Sequence, residues 1–174
     1  DLFHGDGRVL TESERALMFD IMHKMVRDAE LSLRRIIGQQ LADVPDMPRE
    51  LALFLANDDI EVAYPILSDH AVLRDEDLVE IIRNRTLEHQ LAVSIRETVS
   101  EKVTDELVET GNEGVITTLL NNSGASISKT TMEFLVEESK RIDSFREPIL
   151  TREELDPKLA KRMFMWVSAA LRQH

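Results

Sequence analysis

Apolar residues in this chain recur three and four positions apart, the spacing of helices, and almost nowhere alternate as a strand would require. Thr11-Glu12-Ser13-Glu14 has the form of a capping box, with Thr11 placed to accept from the third helical amide and Glu14 to reach back. After it, Leu17, Ile21 and Met25, with Met18 and Met22, make one broad apolar face, and Leu33, Ile36, Ile37 and Leu41 continue it. The two sets fit one long helix, or two helices that meet near Asp28, a residue type suited to an N-cap. Pro45 and Pro48 close this region, and Pro48 suits the first position of the next helix.

Beyond Pro48 the pattern shortens to runs of two to three turns separated by polar turns. Leu51, Phe54 and Leu55 lead to Asn57; Ile60, Val62, Ala63, Ile66 and Leu67 follow, with Pro65 expected to bend the run. Asp75-Glu76-Asp77 opens a run through Leu78, Ile81 and Ile82 to Asn84, and Leu91, Ala92 and Ile95 make the next. Thr104-Asp105-Glu106 leads into Leu107 and Val108, ending near Gly111-Asn112. Val115, Ile116, Leu119 and Leu120 come next, then Met132, Leu135 and Val136 after Ser128.

These runs repeat. Leu78 to Leu107, Val62 to Leu91 and Ile66 to Ile95 are each 29 residues apart, while Leu51 to Leu78 and Leu107 to Phe134 are 27. Asn57, Asn84 and Asn112 recur at 27 and 28, as helix-ending residues that tolerate the left-handed conformation. Two short helices per unit cannot bury their faces alone, but stacked units share a continuous core. The expected fold is therefore all-α. An N-terminal helical segment occupies 1–47, a HEAT-like array of right-handed stacked helical hairpins 48–147, and a C-terminal amphipathic helix 148–174, all one compact unit. For that last helix, Thr151 to Glu154 reads as a second capping box and Asp156-Pro157 as cap and first residue. Leu159, Met163, Trp166, Val167, Ala170 and Leu171 form its apolar side, with Lys158, Lys161, Arg162 and Arg172 mostly off it.

The formal net charge of −12 makes nucleic acid and anionic membrane surfaces poor partners and allows basic ones. The acidity is concentrated: Pro48 to Thr110 holds 15 acidic against 6 basic residues, as expected of a solvated face. No cysteine is present, which removes disulfides, cysteine zinc sites and thiol nucleophiles and fits a reducing compartment. No apolar stretch is long enough to span a bilayer, and no signal peptide is visible. The start at Asp1 rather than Met is expected of a piece of a longer protein.

Candidate chemistry is sparse. His4, His23, His70 and His89 are scattered without a metal-binding spacing, and Asp75-Glu76-Asp77 reads as a helix N-terminus using the helix dipole. Gly5-Asp6-Gly7 lacks the residues of a phosphate loop. Asn121-Asn122-Ser123-Gly124-Ala125-Ser126 reads as a turn between units, with Gly124 supplying a positive φ; its hydroxyls, continued by Ser128, Thr130 and Thr131, are weak candidates for phosphorylation. No nucleophile elbow marks a Ser–His–Asp triad. Met18, Met22, Met25, Met163 and Met165 suit core packing or an adaptable contact.

Three segments also carry a family resemblance: Pro48-Arg49-Glu50-Leu51, the stretch from Leu55 through Asn57-Asp58-Asp59-Ile60-Glu61-Val62-Ala63 to Leu67, and Asp75 to Arg83. Looser matches are His89-Gln90-Leu91-Ala92, Thr104 to Glu109, and Asn122-Ser123-Gly124-Ala125. In these the chain, over about residues 10–140, resembles the bacterial family called domain of unknown function 2336, found chiefly in α-proteobacteria. The resemblance implies helical repeats and a cytoplasmic bacterial protein. It brings no activity, cofactor or catalytic residue. The expected function is a non-catalytic protein–protein interaction or adaptor domain, with no cofactor, no metal, no nucleic acid and no membrane among its partners. A homodimer through the N- or C-terminal amphipathic helix is a further expectation. The alternative is a small-molecule sensing domain with a pocket between the N-terminal helices and the repeats; an enzyme ranks last.

Overall fold

The structure, a computed structural model, describes residues 11–44, 46–69 and 71–171, the side chains of Asp69 and of residues 167–171 excepted. It is all-helical. Ten of its helices pair along the chain: α1 (Glu12–Asp28) with α2 (Leu31–Ala42), α3 (Arg49–Ala56) with α4 (Ile60–Asp69), α5 (Asp75–Asn84) with α6 (Leu87–Ser94), α7 (Glu101–Glu109) with α8 (Glu113–Asn121), and α9 (Lys129–Glu138) with the short α10 (Arg146–Leu150). A 3-10 turn at Asp143–Phe145 leads into α10, and α11 (Pro157–Leu171) ends the described chain. Neither the 3-10 turn nor α10 was foreseen in the sequence pattern; Phe145 and Ile149 are nonetheless fully buried there.

The helices pack in two rows. α4 lies on α2, α6 on α4, and α8 on α6, with α10 against α8; in the other row α5 meets α7 and α9 meets α11. Within pairs, α3 touches α4, α5 touches α6 and α7 touches α8. One core runs through both rows and takes in the residues the repeat pattern picked out, among them Leu51, Leu55, Ile66, Leu78, Ile81, Leu107, Leu119 and Leu135.

Helix ends follow local chemistry. Thr11 and Glu14 form the capping box, with the Glu14 amide on Thr11 Oγ1 and the Thr11 amide on Glu14 Oε2. Ser100, Asn112 and Ser128 accept amide bonds at the starts of α7, α8 and α9. α7 therefore begins three residues before the expected Thr104, which is buried inside the helix. The expected second capping box does not form. Thr151 follows α10 and its hydroxyl donates to the Pro148 carbonyl, while Asp156 Oδ1 accepts from the Lys158 amide and opens α11 at Pro157 as expected.

The recurring asparagines act differently from the expectation. None of the three is left-handed. Asn57 and Asn84 donate their side-chain amides to the carbonyls of Leu53 and Glu80, four residues back, tying off the last turn. Asn112 instead caps the start of α8, and the left-handed position is Gly111, at φ 67°. Gly124 is not left-handed either. Its backbone lies so close to the 97–99 segment that a Cβ would sit 1.8 Å from the Glu97 carbonyl oxygen, and here Val99 and Ala125 form an isolated parallel bridge. Gly124 is required by proximity, not by φ.

The N-terminal segment is two helices, divided at Ala29-Glu30; Glu30, not Asp28, stands at the cap position of α2. The larger departure is its orientation. Leu17, Ile21 and Met25 are 61%, 49% and 61% exposed, and Leu33 and Ile36 are 47% and 53% exposed. Of the expected face, Leu41 is fully buried and Met18, Met22 and Ile37 pack against the core, which Phe19 and Val26 of α1 and Gly38 of α2 complete from the other side. Gly38 lets α2 press on α4, leaving 2.8 Å between its would-be Cβ and the Val62 carbonyl oxygen. At the other end Leu159 and Met163 are buried and Trp166 partly so, with Lys158, Lys161 and Arg162 exposed as expected. Val167, Ala170 and Leu171 have no described side chains, and Arg172 and Pro45 lie outside the described residues.

Candidate functional site

The turn Asn57-Asp58-Asp59 between α3 and α4 gathers bonds from the hairpins on both sides. Arg34 of α2 makes a two-pronged bond to the Asp58 carboxylate, 2.6 and 2.9 Å. The Asp59 amide adds a third donor to the same carboxylate. The Asp58 carbonyl accepts from Arg85 (3.1 Å), just after α5, and from His89 Nε2 (3.0 Å) in α6. A carbonyl can only accept, so Nε2 carries the proton and Nδ1 accepts from the Thr86 hydroxyl. Burial pushes the Asp58 carboxyl up, but the bonds from Arg34 and Asp59 outweigh it and hold it below its ordinary value. Burial is also the main cause that lowers His89, and the imidazole is held neutral.

A related device closes the ends of the second helices α4, α6 and α8. Buried Arg96 reaches back to the Leu67 carbonyl near the end of α4. Asn122 donates to the Ser94 and Arg96 carbonyls at the end of α6. Arg152 donates to the Leu120 and Asn122 carbonyls at the end of α8 and to that of Ala125. In each case the negative end of a second helix is closed by a cation or amide from the next unit. No local sequence pattern announces these bonds. The signal available was a basic or amide residue 26–32 positions after each helix end.

Along the row of first helices the bonds are ionic. Arg49 grips buried Asp77, whose second oxygen also takes the Arg74 amide; these bonds overcome burial, which alone would raise its pKa, and hold it low. Lys102 holds Glu76 at 2.7 Å, Ser100 donates to Asp75 at 2.6 Å, and Arg83 makes two bonds to Glu106. Each carboxylate of Asp75-Glu76-Asp77 thus has its own partner from another helix. Among the described residues no group of three or more metal-ligating side chains converges. Glu50, Glu80, Glu109 and Glu133, on α3, α5, α7 and α9, remain exposed and outside the ion pairs formed among the described residues.

Two grooves lie beside this framework. One, of about 660 Å³, sits where α1 meets α3 and α2, and is lined by His23, Arg27, Arg34, Phe54, Asn57 and Asp58 among others. His23 packs against Phe54, ring centres 5.1 Å apart, and its Nε2 is buried without a partner. This is the junction where a ligand pocket was expected, but it is an open, charged groove and not a closed apolar one. The other, of about 450 Å³, is lined by Ser68, Asp75, Arg96, Glu97, Ser100 and Ser126 at the turns between units. His4, His70 and Gly5-Asp6-Gly7 lie outside the described residues. The structure does not bring His23 and His89 together: one faces α3, the other the Asp58 turn. Of the candidate hydroxyls, Ser128 and Thr131 are spent on Asp105. No helix among the described residues is long and apolar enough to cross a membrane.

Comparison with known proteins finds no match among curated proteins and none among solved structures. A family match covers residues 62–174 and carries the description of an uncharacterised protein conserved in bacteria. Its extent differs from that of the resemblance in the sequence: it starts after the Asn57-Asp58-Asp59 turn and runs through α11. With well over half its length matched, the chain belongs to the bacterial family DUF2336.

Proposed function

We propose that this chain is a non-catalytic protein–protein interaction domain, an adaptor with a regulatory role in the bacterial cytoplasm. On this reading the stacked pairs form a HEAT-like array that offers a partner one long surface. The observation that carries the reading is the bonding between units. The buried charged groups Asp77 and Arg96 and the buried His89 are committed to neighbouring helices, which leaves little titratable chemistry for a reaction and much for rigidity. Glu50, Glu80, Glu109 and Glu133 stay outward on successive first helices, and the partner that this row suits presents basic side chains.

The experiment is capture from a bacterial lysate by the immobilised chain, beside a Glu80→Lys, Glu109→Lys variant. A specific partner held by the parent, released by salt and lost from the variant is the expected result. Equal capture by both proteins would remove the acidic row from the interaction, and no reproducible partner would remove the adaptor reading. The buried, unpartnered Nε2 of His23 in the groove beside Phe54 is the observation behind the second reading, a ligand-sensing domain. A metabolite that raises the melting temperature of the parent but not of a Phe54→Ala variant would support it.

A further inference from the structure

Each inner hairpin has one side against the unit before it and one against the unit after. Among the described residues α1 and α2 pack only on the unit after them. α1 faces α3 through His23 on Phe54, and α2 faces α4 through Gly38 on Val62. Their opposite sides carry Leu17, Ile21, Met25, Leu33 and Ile36, all about half exposed. The exposed side of a helix is normally polar, and this one is apolar like the surfaces the units use on each other.

We infer that this face is an interface between two copies of the chain, meeting end to end across a two-fold axis. Area is the first argument. α1, with 17 residues, is about 25 Å long and α2, with 12, about 18 Å, so at about 10 Å of width each the face is about 430 Å² per copy in projection. Pairing two copies removes about 900 Å² from water, the size of a weak, reversible interface and not of an obligate one.

Charge is the second argument. The whole chain carries −12, and two copies repel almost anywhere on the acidic repeats. Residues 11–44 hold 6 acidic and 5 basic side chains, so two copies approach there without that penalty.

Self-complementarity is the third. Leu17, Ile21 and Met25 are spaced evenly about Ile21 along one side of α1. In an antiparallel pairing of two α1 helices, Ile21 meets its own copy and Leu17 meets Met25.

The test uses the whole chain and its lack of cysteine. Ile21→Cys places a thiol on the proposed axis, and Met165→Cys places one on exposed α11 as a control. Mild oxidation at low concentration is expected to give a disulfide-linked dimer from Ile21→Cys and monomer from Met165→Cys. Light scattering across a concentration series is expected to show dimer for the parent. For Leu17→Lys and Ile21→Lys, at exposed positions that leave the helices folded by circular dichroism, it should show association weakened by about tenfold or more. A monomeric parent, equal cross-linking at both positions, or dimers that survive both lysine variants would overturn the inference. So would a monomer that dimerises only when residues 1–10 are removed, because that segment would then be the occupant of the face.

Discussion

Gly124 shows how one residue type is demanded by its surroundings. The turn after α8 folds back on the segment after α6, and the Val99 amide donates to the Gly124 carbonyl at 3.1 Å while the Ser126 amide donates to that of Val99 at 2.9 Å. No side chain fits between backbones this close. Gly124→Ala is expected to destabilise the chain by about 1–3 kcal/mol or more, measured by urea unfolding, because Glu97 must move and the bridge with it. At Gly111, where φ is positive but no atom lies within 4 Å of the missing Cβ, the same change acts through backbone strain alone. The sequence places both glycines in turns but leads to a positive φ being expected at Gly124, whereas it is in fact at Gly111, since a turn glycine looks alike in either case. His89 gives a second residue-scale expectation. Its value in the folded chain lies below the ordinary 6.5, so between the two values the unfolded chain binds more protons. The stability it contributes is complete above about pH 6.5 and is lost as pH falls through the folded value. Melting temperatures across mildly acid pH should fall for the parent and fall less for His89→Gln. Asp58 and Asp77, also held low, add a further loss only below about pH 4.

At the scale of elements, the apolar spacing located α3 to α9 because each helix is short and its apolar side is used once, inward. Leu78 illustrates this: it is 4% exposed, at the first-helix position that Leu51 and Leu107 occupy one unit away. Leu78→Ala is expected to cost about 2–5 kcal/mol by denaturant unfolding, and an unchanged midpoint would contradict the packing of α5 on α7. α1 resisted the same reasoning. Both of its sides are apolar, and spacing alone does not say which of Leu17-Ile21-Met25 and Phe19-Val26 faces the core. The stripe with the more regular period is the outer one. Helix starts were read well where the cap stood next to an apolar run, as at Thr11 and Ser128. They were misread where acidic or hydroxyl residues inside a helix imitated a cap, as at Thr104, whose side chain is buried. The 3-10 turn and α10 went unread because the run around Phe145, Pro148 and Ile149 is too short to show a period.

For the molecule as a whole, the all-helical class followed from spacing alone, but the bonds that join the units did not. They link residues 23 to 32 apart through single side chains, and a single sequence offers no period on which to recognise them. The Asp58 turn draws together α2, α5 and α6, and it stands just before Val62, where the family match begins. That position bears on how the protein can be divided. A fragment started at Val62 would keep Arg85 and His89 but discard the carbonyl that both of them hold, and it would strip Gly38 from the face of α4. Arg85 and His89 would then point at an empty edge, and its first helix, the rest of α4, would show a bare apolar flank. The natural place to cut lies upstream of α1, and the boundary suggested by kinship and the boundary set by bonding are different.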